Sequence, residues 1–482
     1  MALEPDSDPE TQPLLGHNAA NKAVKNKGWV LLLVSIVIVT IELGDYLSIA
    51  PRTQILESII CRRFYPSQVS SFPLDDSRCK SFEVQAELAF INGWKDTLDA
   101  LPCILLTLPF GFMADRVGRK KVALMSMGGM VMEEIAIRII CWFSEVIPPR
   151  AIWLTPLFQI CGGGNQVAGS MVFTIITDIF PIEKRVNAFY IVSAAVLLAE
   201  VLATPLSAWM MSRSLWVPFL LGALCEVCGL LAALAIPETL SKSVEHADDD
   251  TDGGTHEDDV VLTNWRQSLR NVWSQIIDLT EFIWGNMNNL AISLAFLTAS
   301  VGRQSLQLMI QYVSKRFSWS MAEASFLISL KGAINLVGLL VLLPMISRYL
   351  QRYLSPVLRD LRLTQASAVI LVTGFSIMAF ASNPASFAVG VSLSALGWGF
   401  YSTLRSVATA LVDEGQNGIL NTTIGLVQGI GAVTAGPLLA NAFRYGMTFD
   451  GVFLGLPYMV AAFLFVLAIW ATFTIHIPSI GV

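Results

Sequence analysis

Several ionisable side chains lie inside long apolar segments of this sequence. On insertion scales a charge at the bilayer centre costs about 2.5–3.5 kcal/mol, so each of these residues needs a reason to be there. They are Glu42, Asp45, Glu133, Glu134, Arg138, Glu200, Glu226, Arg303, Lys331 and Arg405. The acids all fall in the first half of the chain, whereas three of the bases fall in the second.

The spacing of these charges indicates two kinds of chemistry. Glu42 and Asp45 are three residues apart, so a helix places them on one face. A carboxyl group in a dry cavity has its neutral form favoured, which is what a reversible proton carrier needs. The alternative for any one of them is a structural ion pair. Glu134 and Arg138 are one turn apart and should neutralise each other, and Glu226 should be an internal structural partner.

The composition indicates that membrane helices position these charges. The chain has 482 residues, of which 54% are hydrophobic and 14% charged, and its mean hydropathy is +0.60. A soluble protein of this size would carry more charge on its surface. The net charge of −6 is not a signal for nucleic acid, because the acids collect in the N-terminal tail and one linker.

Twelve apolar runs are each about long enough to cross a bilayer. We number them spans one to twelve, at roughly 29–50, 88–113, 122–143, 151–179, 187–211, 215–236, 287–312, 321–346, 365–382, 386–411, 418–443 and 452–474. The sequence thus predicts an all-α membrane protein with two six-helix halves, at 29–236 and 287–474. Residues 237–286 form an acidic linker, and 1–28 and 475–482 form tails.

The loop charges predict an orientation. Lys and Arg are more frequent on the side that carries both termini and the linker, which is therefore expected to be cytoplasmic. Cys61 and Cys79 then lie outside, where a disulfide can persist; two free thiols are the alternative. The remaining cysteines are expected to be small packing residues, and Cys225 and Cys228 are not read as a redox or metal pair.

A motif between spans two and three reads Gly111-Phe-Met-Ala-Asp115-Arg116-Val-Gly118-Arg119-Lys120-Lys121. Gly118 permits a tight turn, and the basic residues hold the loop at the cytoplasmic face. The run resembles the signature of the major facilitator superfamily, with every signature position filled. Pro237-Glu238-Thr239 resembles the ending of span six in that superfamily. Cys61–Tyr65 and Gln311–Trp319 resemble a fungal multidrug-like branch.

The resemblance implies roles for further residues. Asp115 and Arg119 would form a charge network with Asp178 that latches the halves in the outward-facing state; a merely structural surface network is the alternative. Spans one, four, seven and ten would line a cavity. Asp45 with Glu42 would carry the proton opposite Arg303, and Glu200 is the next candidate. The expected polar and basic cavity residues are Asn165, Gln166, Arg303, Gln304, Gln307, Lys331 and Arg405.

The sequence favours a proton-coupled transporter of a small organic molecule, with efflux ahead of uptake and alternating access between two states. The alternatives are an uptake symporter and a non-transporting receptor on the same fold. The antiporter signature of span five is degenerate, since Ala199–Pro205 lacks its glycines. An enzyme is not expected: no P-loop, zinc motif or nucleophile elbow occurs, and no cofactor or metal is implied.

Two predictions concern the polar segments and the setting. Residues 265–276 have the spacing of an amphipathic helix, lying either on the inner leaflet or under the bundle. The tail run from Glu10 to Leu15 resembles an acidic dileucine sorting signal. We expect a monomer in the lipid bilayer of the plasma membrane, with a vacuolar or endosomal membrane as the alternative, and protons and a small molecule as partners.

Overall fold

The structure is a computed structural model, and it describes residues 27–66, 77–180, 182–239, 279–412, 417–449 and 451–476. Within these ranges it contains helices and no strands. The amphipathic segment at 265–276, most of the linker and the tail run at 10–15 lie outside the described residues. The predictions about them therefore stay predictions.

The first six spans occupy residues 27–233. Their helices are Lys27–Phe64, Phe82–Val117, Arg119–Trp142, Pro149–Cys161 with Gly164–Ile179, Ile182–Met211 and Trp216–Ala233. Span four is the one that begins as a 3₁₀ helix. It changes to an α-helix at Gly163. The φ of Gly163 is 80°, in the left-handed region, which glycine adopts without strain because it has no Cβ.

The second six spans occupy residues 287–473. Their segments are Met287–Gln304 with Ser305–Leu308 and Met309–Phe317, Met321–Val337 with Gly338–Leu342 and Leu343–Leu350, Pro356–Phe380, Pro384–Leu396 with Gly397–Gly399 and Phe400–Leu411, Asn417–Phe449, and Gly451–Gly455 with Leu456–Phe473. Spans seven, eight and ten are thus interrupted by short 3₁₀ or π turns.

Eight of the described helices are long and apolar enough to cross a membrane by length and composition. Spans two, three, four and seven are not among them. The architecture confirms the predicted all-α membrane fold with two six-helix halves. The boundaries proposed for the tails and the linker remain predictions.

Span one is longer than its apolar run. We expected it to end near residue 50, but its helix continues through Pro51 to Phe64. The charges beyond Pro51 are accommodated because they have partners: Arg52 lies 3.3 Å from Glu134, and Glu57 lies 2.8 Å from Lys80. Arg52 and Cys61 therefore belong to the helix and not to a loop.

The two halves have different interiors. The second half packs aromatic rings, with Tyr312 stacked on Phe387 and in edge contact with Tyr458. The first half instead buries charges, including Lys95, Glu133 and Arg138. The folding of the second half thus rests on apolar packing, and that of the first also on paired charges.

The halves meet at one end of the bundle and diverge towards the other. We call the end that carries Cys61 and Cys79 the disulfide end, and the end that carries the Gly111–Lys121 loop the motif end. Spans two and eleven touch nearest the disulfide end, where a Cβ on Gly93 would lie 2.7 Å from the carbonyl oxygen of Gly436. Towards the motif end, a Cβ on Gly111 or Gly425 would meet no atom within 4 Å. The contact between spans two and eleven continues to Gly429, where a Cβ would lie 2.5 Å from Ile104, and among the described residues the glycines beyond it in these two spans meet open space. We therefore take the motif end to be the end at which the halves separate.

Candidate functional site

An ion pair joins the two halves near the middle of the bundle. Glu200 of span five is buried, and its Oε1 lies 2.8 Å from the Nζ of Lys331 in span eight. The Tyr46 hydroxyl of span one donates a hydrogen bond of 3.4 Å to the other oxygen of Glu200. A Cβ on Gly332 would approach the Glu200 carboxyl carbon to 3.1 Å, so this glycine makes room for the acid.

The contacts continue from Lys331 into the second half. The ring of Trp398 lies 5.9 Å from Lys331 Nζ and 5.9 Å from Arg303 Cζ. Arg303 also lies 5.2 Å from the ring of Tyr401, whose hydroxyl donates a hydrogen bond of 2.7 Å to the carbonyl of Ala299. We call the series Tyr46, Glu200, Lys331, Trp398 and Arg303 the central chain. It connects spans one, five, eight, ten and seven.

The predicted pairing of Asp45 with Arg303 is not formed in this conformation. The charges that act on the Asp45 carboxylate come from the first half, and Arg52 is the strongest of them. Glu42 is half-buried near Asp45 and Glu200. Within the described residues, Asp45 has no ion pair, and its side chain is exposed. The residue of span one that belongs to the central chain is thus Tyr46, the neighbour of Asp45 in sequence.

The other predicted cavity residues are mostly open. Asn165 and Gln166 of span four, Gln307 of span seven and Arg405 of span ten are exposed, and Gln304 is half-buried. Polar groups at this depth are too costly to face lipid, so their exposure indicates a water-filled space. The prediction that these spans line a cavity agrees with this arrangement, while the role of each residue stays a prediction.

The sequence analysis missed the partners of Glu133 in a cluster of buried charge. Lys95 of span two lies 2.6 Å from Asp99 and 2.5 Å from Glu133 of span three. Gln159 of span four donates a short hydrogen bond to the other oxygen of Glu133. Lys95 and Asp99 lie inside the predicted span two, with an i, i+4 spacing that could have identified the pair.

A second cluster behaves as predicted. Arg138 Nη1 lies 2.6 Å from Glu134 Oε2, and Glu226 lies 3.9 Å from Arg138 Nη2. Arg52 adds a contact of 3.3 Å to Glu134. The Glu134–Arg138 pair and the structural role of Glu226 are confirmed.

The motif end carries a third network. Arg119 Nε lies 3.6 Å from Asp178 Oδ2, and the Thr239 hydroxyl donates to the same oxygen over 3.1 Å. Glu238 Oε1 accepts a hydrogen bond of 2.9 Å from the backbone N–H of Arg119. Lys120 donates to the carbonyl oxygen of Leu234 over 2.7 Å. The end of span six therefore docks on the start of span three, a link that the two separate sequence patterns did not predict.

This network lies within the first half. Arg119, Asp178 and Glu238 belong to spans three, four and six or their ends, whereas the halves themselves diverge here. The predicted role of Asp115, Arg119 and Asp178 as a latch between the halves stays a prediction, and of its contacts the described residues show that of Arg119 with Asp178. Arg116 is exposed, and the side chain of Asp115 is outside the described part of the structure.

Contacts between the halves close the disulfide end. A disulfide joins Cys61 to Cys79. The adjacent Lys80 donates 2.8 Å to Glu57 of span one and 2.6 Å to the Ser314 hydroxyl of span seven. The Lys315 ammonium in turn donates to the Lys80 carbonyl. The disulfide thus fixes a segment that ties the first half to the second.

The sequence of the chain is similar to those of known proteins. A family model described as Major Facilitator Superfamily matches residues 86–437. The chain is 32% identical to "Efflux pump ustT" of Aspergillus flavus over 92% of this chain and 88% of that protein. It is 29% identical to "MFS efflux pump atnC" of Emericella nidulans over 90% of this chain and 85% of that protein.

Solved structures share the fold. The chain resembles the human organic anion transporter MFSD10 with a TM-score of 0.61 and 15% identity, over 93% of this chain and 100% of that one. It resembles the nucleoside transporter NupG with a TM-score of 0.62 and 13% identity, over the same shares. At these identities the likeness concerns the fold.

Proposed function

This chain belongs to the major facilitator superfamily and is a membrane transporter rather than an enzyme, and we propose that it exports a small organic molecule in exchange for protons. The observation that carries the proposal is the Glu200–Lys331 ion pair of 2.8 Å between the halves. The pair can exist only while Glu200 is charged. A proton on Glu200 would remove the attraction that holds span five to span eight.

The proposed cycle has two states. In the present state the motif end is open, Glu200 is ionised and paired with Lys331, and the cavity can load substrate. Separation of the halves at the disulfide end would part Glu200 from Lys331 and expose the carboxylate to protons. Return to the present state would require that proton to leave towards the motif end, because Lys331 then neutralises Glu200. Asp45 and Glu42 would pass the proton along the cavity.

The direction and setting belong to the same proposal. The relatives named as efflux pumps support export, and the predicted orientation puts the open motif end in the cytoplasm. An uptake symporter would have to load proton and substrate from the disulfide end together. We propose a monomer in the plasma membrane. The motif-end network would help set the balance between the two states.

Electron–electron double resonance can test the proton link without a known substrate. Spin labels at Val146→Cys and Phe380→Cys, both exposed at the disulfide end, would report the separation of the halves. The five free cysteines would be replaced by serine and the disulfide kept. We expect the distance to lengthen as the pH falls. In Glu200→Gln the longer distance should dominate at every pH, because the ion pair cannot form.

The matched control is Glu87→Gln, which breaks the exposed pair of Glu87 with Arg150 in the same half. That variant should keep the pH response of the parent. A parent distance that does not change with pH would contradict proton coupling. A normal pH response in Glu200→Gln would show that the coupling carboxyl lies elsewhere, with Asp45 as the next residue to replace.

A further inference from the structure

Arg303 differs from the other bases buried within the spans of the described structure. Lys95, Arg138 and Lys331 each have a carboxylate within 4.0 Å. Arg303 has no such ion pair among the described residues, and its guanidinium lies instead against Trp398 and Tyr401. A charge that is half-buried in the middle of a membrane protein has here been left without a counter-charge.

The two aromatic contacts can offset much of the cost of this charge, but they give the guanidinium neither a counter-charge nor acceptors for its N–H groups. A cation–π contact contributes about 0.5–2 kcal/mol, and an arginine at the bilayer centre costs about 2.5–3.5 kcal/mol on insertion scales. The rings of Trp398 and Tyr401 lie 5.9 and 5.2 Å from Arg303 Cζ, and an aromatic face accepts none of the in-plane hydrogen bonds that a guanidinium can donate. Because the Tyr401 hydroxyl is held by the carbonyl oxygen of Ala299, the ring that supports Arg303 is fixed. The guanidinium is therefore pre-organised for an external acceptor.

The surroundings fit an oxyanion with a planar body. Gln304 follows Arg303 directly, and Gln307 is exposed one turn further along span seven, so both can add donors. The Glu200 carboxylate is engaged by Lys331, and the charges acting on Asp45 come from the first half. The half-buried indole of Trp398 offers a face on which a conjugated ring can stack.

From this geometry we infer that the transported molecule is an organic anion: a carboxylate or similar oxyanion on a flat, conjugated body, bound by Arg303 and Trp398. The inference extends the proposed function: the geometry supports the binding of an anion, and the statement that the anion is transported rests on the proposed function. The anion takes a bidentate contact from the guanidinium, and the body lies on the indole. Arg405, one turn beyond Tyr401 and exposed, attracts the anion towards this position from the motif end.

Three probes that share one aromatic ring system and differ in charge distinguish the contribution of the charge to affinity from that of the ring. 1-Naphthoate is anionic, 1-naphthamide is neutral and 1-naphthylmethylammonium is cationic. Their affinities for the purified full-length protein would be measured by calorimetric titration. We expect naphthoate to bind about tenfold or more tightly than naphthamide, and the cation to bind most weakly. Failure of the wild type to bind naphthoate, or equal binding of naphthoate and naphthamide, would overturn the inference.

Variants assign the preference to residues. Arg303→Gln should abolish the difference between naphthoate and naphthamide, Arg303→Lys should keep part of it, and Trp398→Ala should weaken both probes. The matched control is Arg213→Gln, since Arg213 also lies over a tryptophan, Trp209, but outside the cavity. That variant should bind like the wild type. A preference for naphthoate that survives in Arg303→Gln would place the anion site elsewhere.

The binding measurement needs no proton gradient. Its outcome is therefore independent of the spin-label test of Glu200. If Glu200→Gln keeps a normal pH response but naphthoate binding depends on Arg303, the coupling proposal fails and the substrate class stands. The opposite result would reject the substrate class alone.

Discussion

Many of the charged side chains in the first half form ion pairs with one another. Lys95 serves Asp99 and Glu133 at once, and both Lys95 and Glu133 are buried. Replacing such a pair by apolar residues can be neutral, whereas removing one partner leaves the others uncompensated. The stability of this half should therefore depend steeply on Lys95.

We expect Lys95→Met to lower the free energy of unfolding by about 3–5 kcal/mol, because Asp99 and Glu133 would lose their common counter-charge. Titration with denaturing detergent, followed by circular dichroism, would measure the change. Arg150→Met is the control: Arg150 is 57% exposed in its pair with Glu87, and such a pair contributes up to about 1 kcal/mol. Equal losses in the two variants would mean that the Lys95 cluster contributes no more than a surface pair.

Sequence spacing predicted pairs within one helix better than pairs between helices. Glu134 and Arg138 lie on one turn, so their contact follows from helix geometry alone. The partner of Glu200 could not be predicted in this way, because Lys331 lies on a different helix of the other half. The expected Asp45–Arg303 contact assumed that opposite charges in facing spans must meet. In the structure Arg303 lies instead against Trp398 and Tyr401.

Helix ends at the motif end depend on one another. Gly118 separates spans two and three with a φ of 116°, which other residues rarely adopt, and a Cβ there would lie 2.3 Å from Glu238. Glu238, which follows span six, accepts hydrogen bonds from the backbone N–H groups of Arg119 and Lys120, over 2.9 and 3.5 Å. A carboxylate at this position both caps the helix and opposes the positive end of its dipole.

Glu238→Ala should remove about 0.5–2 kcal/mol of local stability from the first turn of span three. Hydrogen–deuterium exchange of peptides covering that turn would then become faster, by roughly two- to thirtyfold where exchange follows local opening. Glu83→Ala is the matched control, because Glu83 is an exposed acid in the first turn of span two. Unchanged exchange in Glu238→Ala would show that the cap contributes little.

Most span positions were predictable from apolar runs, and the errors lie at the ends. Span one was predicted to stop near Pro51 because hydropathy falls there. The helix continues because Glu57 is neutralised by Lys80, a residue from another segment. Hydropathy records the surface that lipid would meet and carries no information about a partner that is distant in the chain.

At the scale of the whole molecule, the conformation depends on the end of the bundle at which hydrogen bonds connect the two halves. Lys80, held next to the disulfide, bonds to Ser314 and accepts from Lys315 of the second half. Gln311 also donates 2.7 Å to the carbonyl of Gln85. These are neutral or partly exposed contacts that can be exchanged for water, so they can hold one state without making it permanent.

Lys315→Ala should shift the population towards a disulfide end that is open. A hydrogen bond from a charged group contributes about 1.5–3 kcal/mol, which corresponds to roughly a ten- to 150-fold change in the ratio of the states. The spin-label pair at Val146→Cys and Phe380→Cys would measure it.

Arg316→Ala is the adjacent control, since Arg316 bonds to the Gly451 carbonyl within the second half. It should leave the distance distribution unchanged. If both variants shift the population equally, the tie between the halves is not specific to Lys315.

The arrangement of six spans, a linker and six spans could be predicted from the sequence, but the conformation could not. The same sequence has to be compatible with both conformations of the transport cycle. Its patterns therefore predict the features that are common to the two conformations. The motif-end network illustrates this: the contact of Arg119 with Asp178 is present, and in this state it connects parts of a single half.

Judged on the described residues alone, spans two, three and four are not among the helices that are long and apolar enough to cross a membrane by composition, and they follow one another in the chain. Their charged residues are compensated by each other: Lys95 in span two by Glu133 in span three, and Glu133 by Gln159 in span four. A ribosome delivers these segments one after another to the insertion machinery. Within span two, Lys95 already has Asp99 as a partner, whereas Glu133 of span three has its counter-charge, Lys95, on the preceding span. We therefore expect spans two and three to enter the membrane together, because span three alone would bring the Glu133 carboxylate into lipid without a partner.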